Sequence, residues 1–333
     1  SMLSVDSFAQ DNEYVEEVVS IGTRGKPRSV SSSPVPVDVL SAEDISKTGT
    51  DDLLMQLQGS IPSLNVHLQP ISDAASMIRP ANLRGLSADS TLITTNGKRR
   101  HHASVIAFQG GGVNDGSQGA DISVIPAIAL KRVEVLRDGA SAQYGSDAIA
   151  GVINFVLDDI SEGGSLSYKM GEYTEGDGAT TTIAGKYGMP LGQDGFVTTS
   201  FQIRQADDTS RSAQRPDAAD LIAAGNAAVA NPAQIWGAPK IDDDVTFFMN
   251  SGVTNSDGSE SYMFGNYSER DVDGGFYYRN PDGRSGVFTI GDYRAVGNVD
   301  GTCAYGTGAS GQVDPSDYAT RDLIMADPSC FLM

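Results

Sequence analysis

RVEVLRDGASAQYGSDAIAGVINFVL, residues 132–157, joins a strand, a turn, a helical turn and a second strand in one short unit. Arg132-Val133-Glu134-Val135 alternates polar and apolar side chains with the period of a half-buried strand, and Asp138-Gly139 is a turn signal that stops it. Ala140 to Tyr144 has room for about one helical turn, and Gly145 suits the left-handed position that ends a helix. Gly151 then opens Val152-Ile153-Asn154-Phe155-Val156-Leu157, a nearly unbroken apolar run whose β-branched members argue for a strand covered on both faces. Asn154 inside that run demands hydrogen-bond partners, since a buried amide left unpaired costs roughly 1–3 kcal/mol. By spacing alone, the unit is a generic α/β core fragment with no chemistry of its own.

Upstream, residues 2–14 are polar and short of apolar pattern, the composition of a disordered tail. Glu17-Val18-Val19-Ser20-Ile21 is a strand-like segment at the edge of that tail. A short extended segment on a tether can add itself to the open sheet edge of another protein; taken alone, it is equally a stray edge strand. The Ser/Pro run from Ser29 to Pro36 reads as an extended linker. Val37 to Leu40 is a short strand, and Ser41-Ala42-Glu43-Asp44 starts a helix with a capping-box pattern. Thr50 is expected to cap a second helix, Asp51 to Gln58, closed by Gly59 and blocked by Pro62. Leu64 to Leu68 alternates as a strand. Arg84-Gly85-Leu86 leads to a strand at Thr91–Thr95, and Asn96-Gly97 before Lys98-Arg99 is a hairpin turn, because both central residues of a type I′ turn need positive φ. Ala103 to Ala120, rich in glycine and carrying Gln109 and Asn114, reads as a mobile loop. Arg99, Arg100, His101 and His102 invite a metal or anion reading. With three histidines in the chain and no carboxylate cluster at ligand spacing, exposed loop residues are the simpler account, and no metal site is assigned.

After Leu157 the period changes. Leu166, Tyr168 and Met170, then Ile183, Tyr187 and Met189, then Val197, Phe201 and Ile203, then Val245, Phe247 and Met249 alternate with small or polar residues, and a weaker fifth strand lies around residues 260–269. One apolar and one polar face per strand is what a wall between lipid and a polar lumen requires. A soluble antiparallel sandwich alternates in the same way. The links at 190–195 and 255–258 are short, whereas that from 206 to 244 is long and holds an Ala-rich helical piece near 221–230. Short turns alternating with long loops is the rule of outer-membrane barrels. Asp242-Asp243-Asp244 reads as a solvated acidic loop rather than a cation site. From Asp271 onward the residues are loop-like and include Cys303 and Cys330. In an oxidising compartment these would close a loop worth roughly 3–4 kcal/mol by chain entropy; otherwise they are two thiols.

The net charge of -20 on 333 residues excludes nucleic acid as partner, because phosphate binding needs a basic footprint. No run approaches ~18 apolar residues, so no membrane-spanning helix is read, which leaves barrel strands open. No G-x-S-x-G elbow occurs and only three histidines are present, so a hydrolase has little support; neither a catalytic residue nor a cofactor is assigned.

The order Ile125-Pro126, Ile128, Arg132, Glu134-Val135-Leu136, Gly139, Ser141, Tyr144-Gly145-Ser146, Ala148, Gly151-Val152-Ile153-Asn154 resembles the signature that ends the plug domain of TonB-dependent outer-membrane receptors. Arg84-Gly85-Leu86, the strand after it and Asn96-Gly97-Lys98-Arg99 follow the same family's order, an independent second block. The resemblance implies an α+β plug domain with a small mixed sheet and short helices at residues 29–158. A flexible segment at 1–28 would precede it, and the first strands of an antiparallel transmembrane β-barrel would occupy 159–333. It implies that Glu17 to Ile21 is the TonB box, where the TonB protein pairs and transmits energy from the inner membrane. It also implies that Arg99, Arg100, His101, His102, Gln109 and Asn114 sit on plug loops facing an extracellular ligand: an iron complex, cobalamin or an oligosaccharide. The expected location is the outer membrane of a Gram-negative bacterium, in contact with its lipid. A barrel of this family closes with about 22 strands, and five strands cannot close one, so the wall is expected to be incomplete in this chain. The rival expectation is a soluble or surface-attached β-rich binding or adhesion module.

Overall fold

The structure, a computed structural model, describes residues 37–47, 50, 52–66, 78–79, 81–107, 112–223 and 230–275, together with backbone strand pairs at 18–19 and 28–29. In chain order, β1 (Val18–Val19) pairs antiparallel with β2 (Arg28–Ser29). β3 (Val37–Ser41) runs straight into α1 (Ala42–Ser46), where Ser41 Oγ accepts from the Asp44 amide at 3.1 Å as the capping pattern predicts.

The next helix, α2 (Leu53–Ser60), starts later than expected. Its cap is Asp52, whose Oδ1 accepts from the amides of Leu54 at 3.0 Å and Met55 at 3.2 Å. A carboxylate there also faces the positive end of the helix dipole, and Thr50 is left to accept from the Asp52 amide at 3.2 Å. Gly59 lies inside the last turn, and extended Ile61 closes the helix.

β4 (Leu64–Val66) pairs with β5 (Ala81–Leu83). β6 (Thr91–Thr95) and β7 (Lys98–Arg99) form the predicted hairpin, with φ of 48° at Asn96 and 73° at Gly97. The stretch at 132–157 folds as read, into β8 (Leu130–Leu136), α3 (Ser141–Tyr144), a 3-10 turn and β9 (Gly151–Leu157). Every residue of β9 except Val156 is buried. Gly151 is required by geometry: its φ is +149°, and a Cβ there would stand 2.3 Å from the Leu136 carbonyl oxygen. The sheet order is β3-β8-β9-β6-β7, with β6 and β9 parallel and the other pairs antiparallel. Ile93, Val133, Val135, Ile153 and Phe155 cluster with Leu54 and Leu57 of α2, Ile45, Ile122 and Ile125, while Leu92, Leu136 and Val152 gather with Val37 and Ala148 in a smaller group.

A second sheet follows as an antiparallel meander. It consists of β10 (Gly164–Gly171), β11 (Thr180–Pro190), β12 (Gly195–Ala206), then α4 (Pro216–Ala223) in the long link, then β13 (Lys240–Thr254) and β14 (Glu260–Asp273). Its register aligns Tyr168, Ile183, Ile203 and Val245 in one row, and Leu166, Gly185, Phe201, Phe247 and Tyr267 in the next. These rows face outward: Leu166 is 74% exposed and Tyr168 61%. A continuous apolar face on that scale needs a cover, and lipid is the cover a barrel wall has. The opposite face carries Thr182, Ala184, Thr198, Ser200, Thr246 and Phe248, all buried, with Phe248 joining the core cluster of the first sheet. The sheet is open, with β10 and β14 at its edges among the described residues. One expectation is corrected here: Asp242-Asp243-Asp244 and Asp271 belong to β13 and β14 rather than to loops, and Asp244 is only 1% exposed.

Candidate functional site

The site begins at Asn154, which lies in one row with Glu134 on β8 and Thr94 on β6. Its Oδ1 accepts from Thr94 Oγ1 at 2.8 Å and from the Gly97 amide at 2.9 Å, and its Nδ2 donates to Glu134 Oε2 at 3.0 Å. Glu134 is fully buried, and Arg132, two residues along the same face, donates Nε to Glu134 Oε1 at 2.9 Å. The amide demanded by the sequence reading is thus satisfied three times over, and it ties β8, β9, β6 and the Asn96-Gly97 turn together. Other signature residues shape backbone: Arg84 and Gly85 turn the chain with φ of 57° and 71°, Gly145 closes α3 at φ 92°, and the Tyr144 carbonyl accepts from Arg99 Nη2 at 2.8 Å.

The row continues into the second sheet. Asn96 Oδ1 accepts from the Leu157 amide at 2.9 Å, and Asn96 Nδ2 donates to Asn250 Oδ1 at 3.2 Å. Asn250 Nδ2 donates to the Asp158 carbonyl at 3.0 Å, Thr198 Oγ1 donates to the Ile160 carbonyl at 2.8 Å, and Lys186 pairs with the Asp158 carboxylate. A second attachment lies at the turn after residue 120. Arg270 on β14 donates Nη1 to Ser123 Oγ at 2.9 Å and Nη2 to the Ser123 carbonyl at 3.0 Å, and its cross-strand neighbour Asp244 accepts from Nη2 at 2.6 Å. Sequence reasoning missed Asp158, Lys186, Asn250, Asp244, Arg270 and Ser123. The only signal was the placement of polar residues on the inward phase of the alternating strands.

The residues expected to face a ligand separate into three groups. His101 and His102 are exposed, and His102 Nδ1 meets the Gln118 carbonyl. Arg99 is exposed and paired with Asp147. Arg100 and Asn114, by contrast, are buried. Arg100 is 8% exposed and donates Nε to the Asp121 carbonyl at 2.8 Å; burial pushes its guanidinium below the ordinary value, with the Asp121 carboxylate pulling the other way. Asn114 is fully buried and pairs reciprocally with Asn82, at 2.7 Å and 2.6 Å, while accepting from the Ala88 amide at 2.9 Å. A polar loop residue is drawn inward here because another buried amide supplies its partners. The loop is also closed by backbone bonds from Ala103 to Gly119 and from Ala107 to Ser117, both at 2.9 Å. Gln109 lies outside the described residues. Arg99, Arg100 and His102 line one cleft with Asp89 and Asp147, and no group of three metal-ligating side chains exists among the described residues. Of the pairing segment, Val18 and Val19 form β1, whereas Glu17, Ser20 and Ile21 lie outside the described residues, as do Cys303 and Cys330.

Comparison with known proteins agrees with this architecture. Residues 29–152 match the family described as the TonB-dependent Receptor Plug Domain. An iron-regulated outer membrane virulence protein of Vibrio cholerae is 29% identical over 156 residues, covering 46% of this chain and 22% of its own length. The ferric enterobactin receptor of Pseudomonas aeruginosa superposes with a TM-score of 0.54 at 21% identity, over 72% of this chain and 33% of the receptor. The siderophore receptor PirA of Acinetobacter baumannii does so with a TM-score of 0.50 at 19% identity, over 71% and 32%. The chain therefore spans about a fifth of that curated relative and about a third of the solved receptors. Residues 29–152, whose sheet holds the buried Glu134-Asn154-Thr94 row, match the TonB-dependent receptor plug domain, and the apolar-out meander attached to them shares the fold of the first wall strands of the solved receptors.

Proposed function

We propose that this chain is the coupling segment, plug and first wall strands of an outer-membrane receptor that imports a ferric chelate with energy transmitted by TonB. The protein resides in the outer membrane. Residues 1–28 carry the coupling segment, 29–158 the plug and 159–333 the start of the wall. The observation that carries the reading is the plug docked by its own polar side chains on the inward face of a sheet whose outward face is apolar. Within a lumen the plug would block diffusion, so passage requires it to rearrange, and no covalent chemistry is needed. An iron chelate is favoured over cobalamin or an oligosaccharide because the similar proteins are named as iron-regulated or siderophore receptors.

Val18 and Val19 supply the strand to which TonB would pair, and β1 already uses one of its two edges on β2. Growth of a strain lacking the gene, on ferric chelates, cobalamin or oligosaccharides as limiting nutrient, tests the ligand class. A defect confined to one or more ferric chelates is expected; a defect confined to an oligosaccharide would replace the iron reading.

A further inference from the structure

The plug turn at 121–125 is gripped from two sides. From the wall, Arg270 donates to both the hydroxyl and the carbonyl of Ser123, with Asp244 fixing the guanidinium. From the plug, Arg100 Nε donates to the Asp121 carbonyl at 2.8 Å, and Asp121 Oδ1 accepts from the Ser123 amide at 3.0 Å and the Ser123 hydroxyl at 2.6 Å. The Ser123 hydroxyl therefore accepts from Arg270 while donating its one proton to Asp121, which joins the two grips into a single polarised chain.

Apolar packing already holds this turn. Ile122 and Ile125, on either side of Ser123, are each 1% exposed and already anchor the turn in the main core. Buried charge pairs return little net stability against their desolvation, so a polar chain beside two sufficient apolar anchors calls for another role. Its inner end supplies one: Arg100 is followed directly by exposed His101 and His102, and His102 meets the carbonyl of Gln118 on the returning arm of the same loop.

We propose that Arg100, Asp121, Ser123, Arg270 and Asp244 form a relay through which displacement of the rim loop at His101-His102 is communicated to the wall strands β13 and β14. The inference rests on the plug-and-wall reading, and its readout is independent of transport, so loss of uptake and loss of the relay are distinguished.

The test is hydrogen exchange on the intact receptor extracted from outer membranes, arranged as a double-mutant cycle, because spatial continuity alone does not establish coupling. Arg270→Gln is expected to speed exchange about tenfold or more at 121–125 and severalfold at 101–104 and 117–119, segments that Arg270 does not touch, with β8 and β9 unchanged. Arg100→Gln is expected to loosen the same segments, and the double variant to exceed the larger single effect by less than twofold. If Arg270→Gln does not assemble, Ser123→Ala removes only the hydroxyl link and is expected to loosen both segments. The relay is overturned if the rim loop is unmoved in Arg270→Gln and Ser123→Ala, if the two arginine effects multiply independently, or if β8 and β9 loosen by the same factor.

Discussion

Replacing Asn154 by alanine tests the physical centre of the plug. The substitution removes a partner from three groups at once: Glu134 Oε2, the Gly97 amide and the Thr94 hydroxyl, each now within 3.0 Å of the Asn154 side chain. The hydroxyl can turn toward another acceptor; the amide is fixed in its turn and the carboxylate on its buried strand. A buried polar group left unpaired costs about 1–3 kcal/mol, and more when charged, so the expected loss is about 3–6 kcal/mol. That is a large share of the ~5–15 kcal/mol that holds a domain folded. Glu134→Gln gives the contrast: its amide oxygen still accepts from Asn154, Arg132 is partly solvent-exposed, and the expected cost is about 1–3 kcal/mol. The assay is hydrogen exchange on the detergent-solubilised receptor, read at Gly97 and in β6 and β9. Both should lose protection in Asn154→Ala, by far more than in Glu134→Gln. Equal effects of the two variants, or a protected Gly97 amide in Asn154→Ala, would refute the claim that this side chain ties the strands together.

Other outcomes follow from the same geometry. Gly151→Ala should prevent a native plug from accumulating, since its Cβ would stand 2.3 Å from the Leu136 carbonyl oxygen at φ +149°. Gly97→Ala, at φ +73° with nothing within 4 Å, should cost only about 1 kcal/mol; folded yield and denaturation midpoints distinguish the two. Phe248→Ala empties a ring position that packs on the plug core from the wall side, and should lower plug stability by about 3–5 kcal/mol in a denaturant titration. The Arg211 guanidinium holds the Asp177 carboxyl below its ordinary 3.8 by hydrogen bonding. Because the folded value is the lower one, the contact is complete above about pH 4 and is lost as pH falls through the lowered value; exchange at Thr209 and Arg211 should quicken only there.

The plug was legible because its special positions are chemical necessities. Asn96-Gly97 announces a positive-φ hairpin, and an asparagine inside an apolar strand announces a buried network. The strands of the second sheet were legible from their period, but a sandwich shares that period, and only the plug signature before them and the alternation of short and long links favoured a wall. What escaped is long-range partnership. Thr50 read as the cap of a helix starting at Asp51, and only the two amide bonds to the Asp52 carboxylate show that the cap lies two residues later. Asn114 looked like an exposed loop amide because its partner Asn82 is distant in sequence. Asp244 looked like solvated acid because the guanidinium that draws it inward lies on the neighbouring strand. Nothing in the local sequence of Ser123 marks it as a docking point for Arg270.

If import is energised through a plugged wall, uptake of radiolabelled ferric chelate by cells carrying the full-length receptor depends on both TonB and the pairing strand. Val18→Pro removes a backbone donor from the pairing strand without touching the plug core. The expected result is unchanged chelate binding at the cell surface with uptake reduced to the level of cells lacking TonB. Normal uptake by Val18→Pro cells, or uptake by the unaltered receptor that persists without TonB, would contradict energised import through this segment.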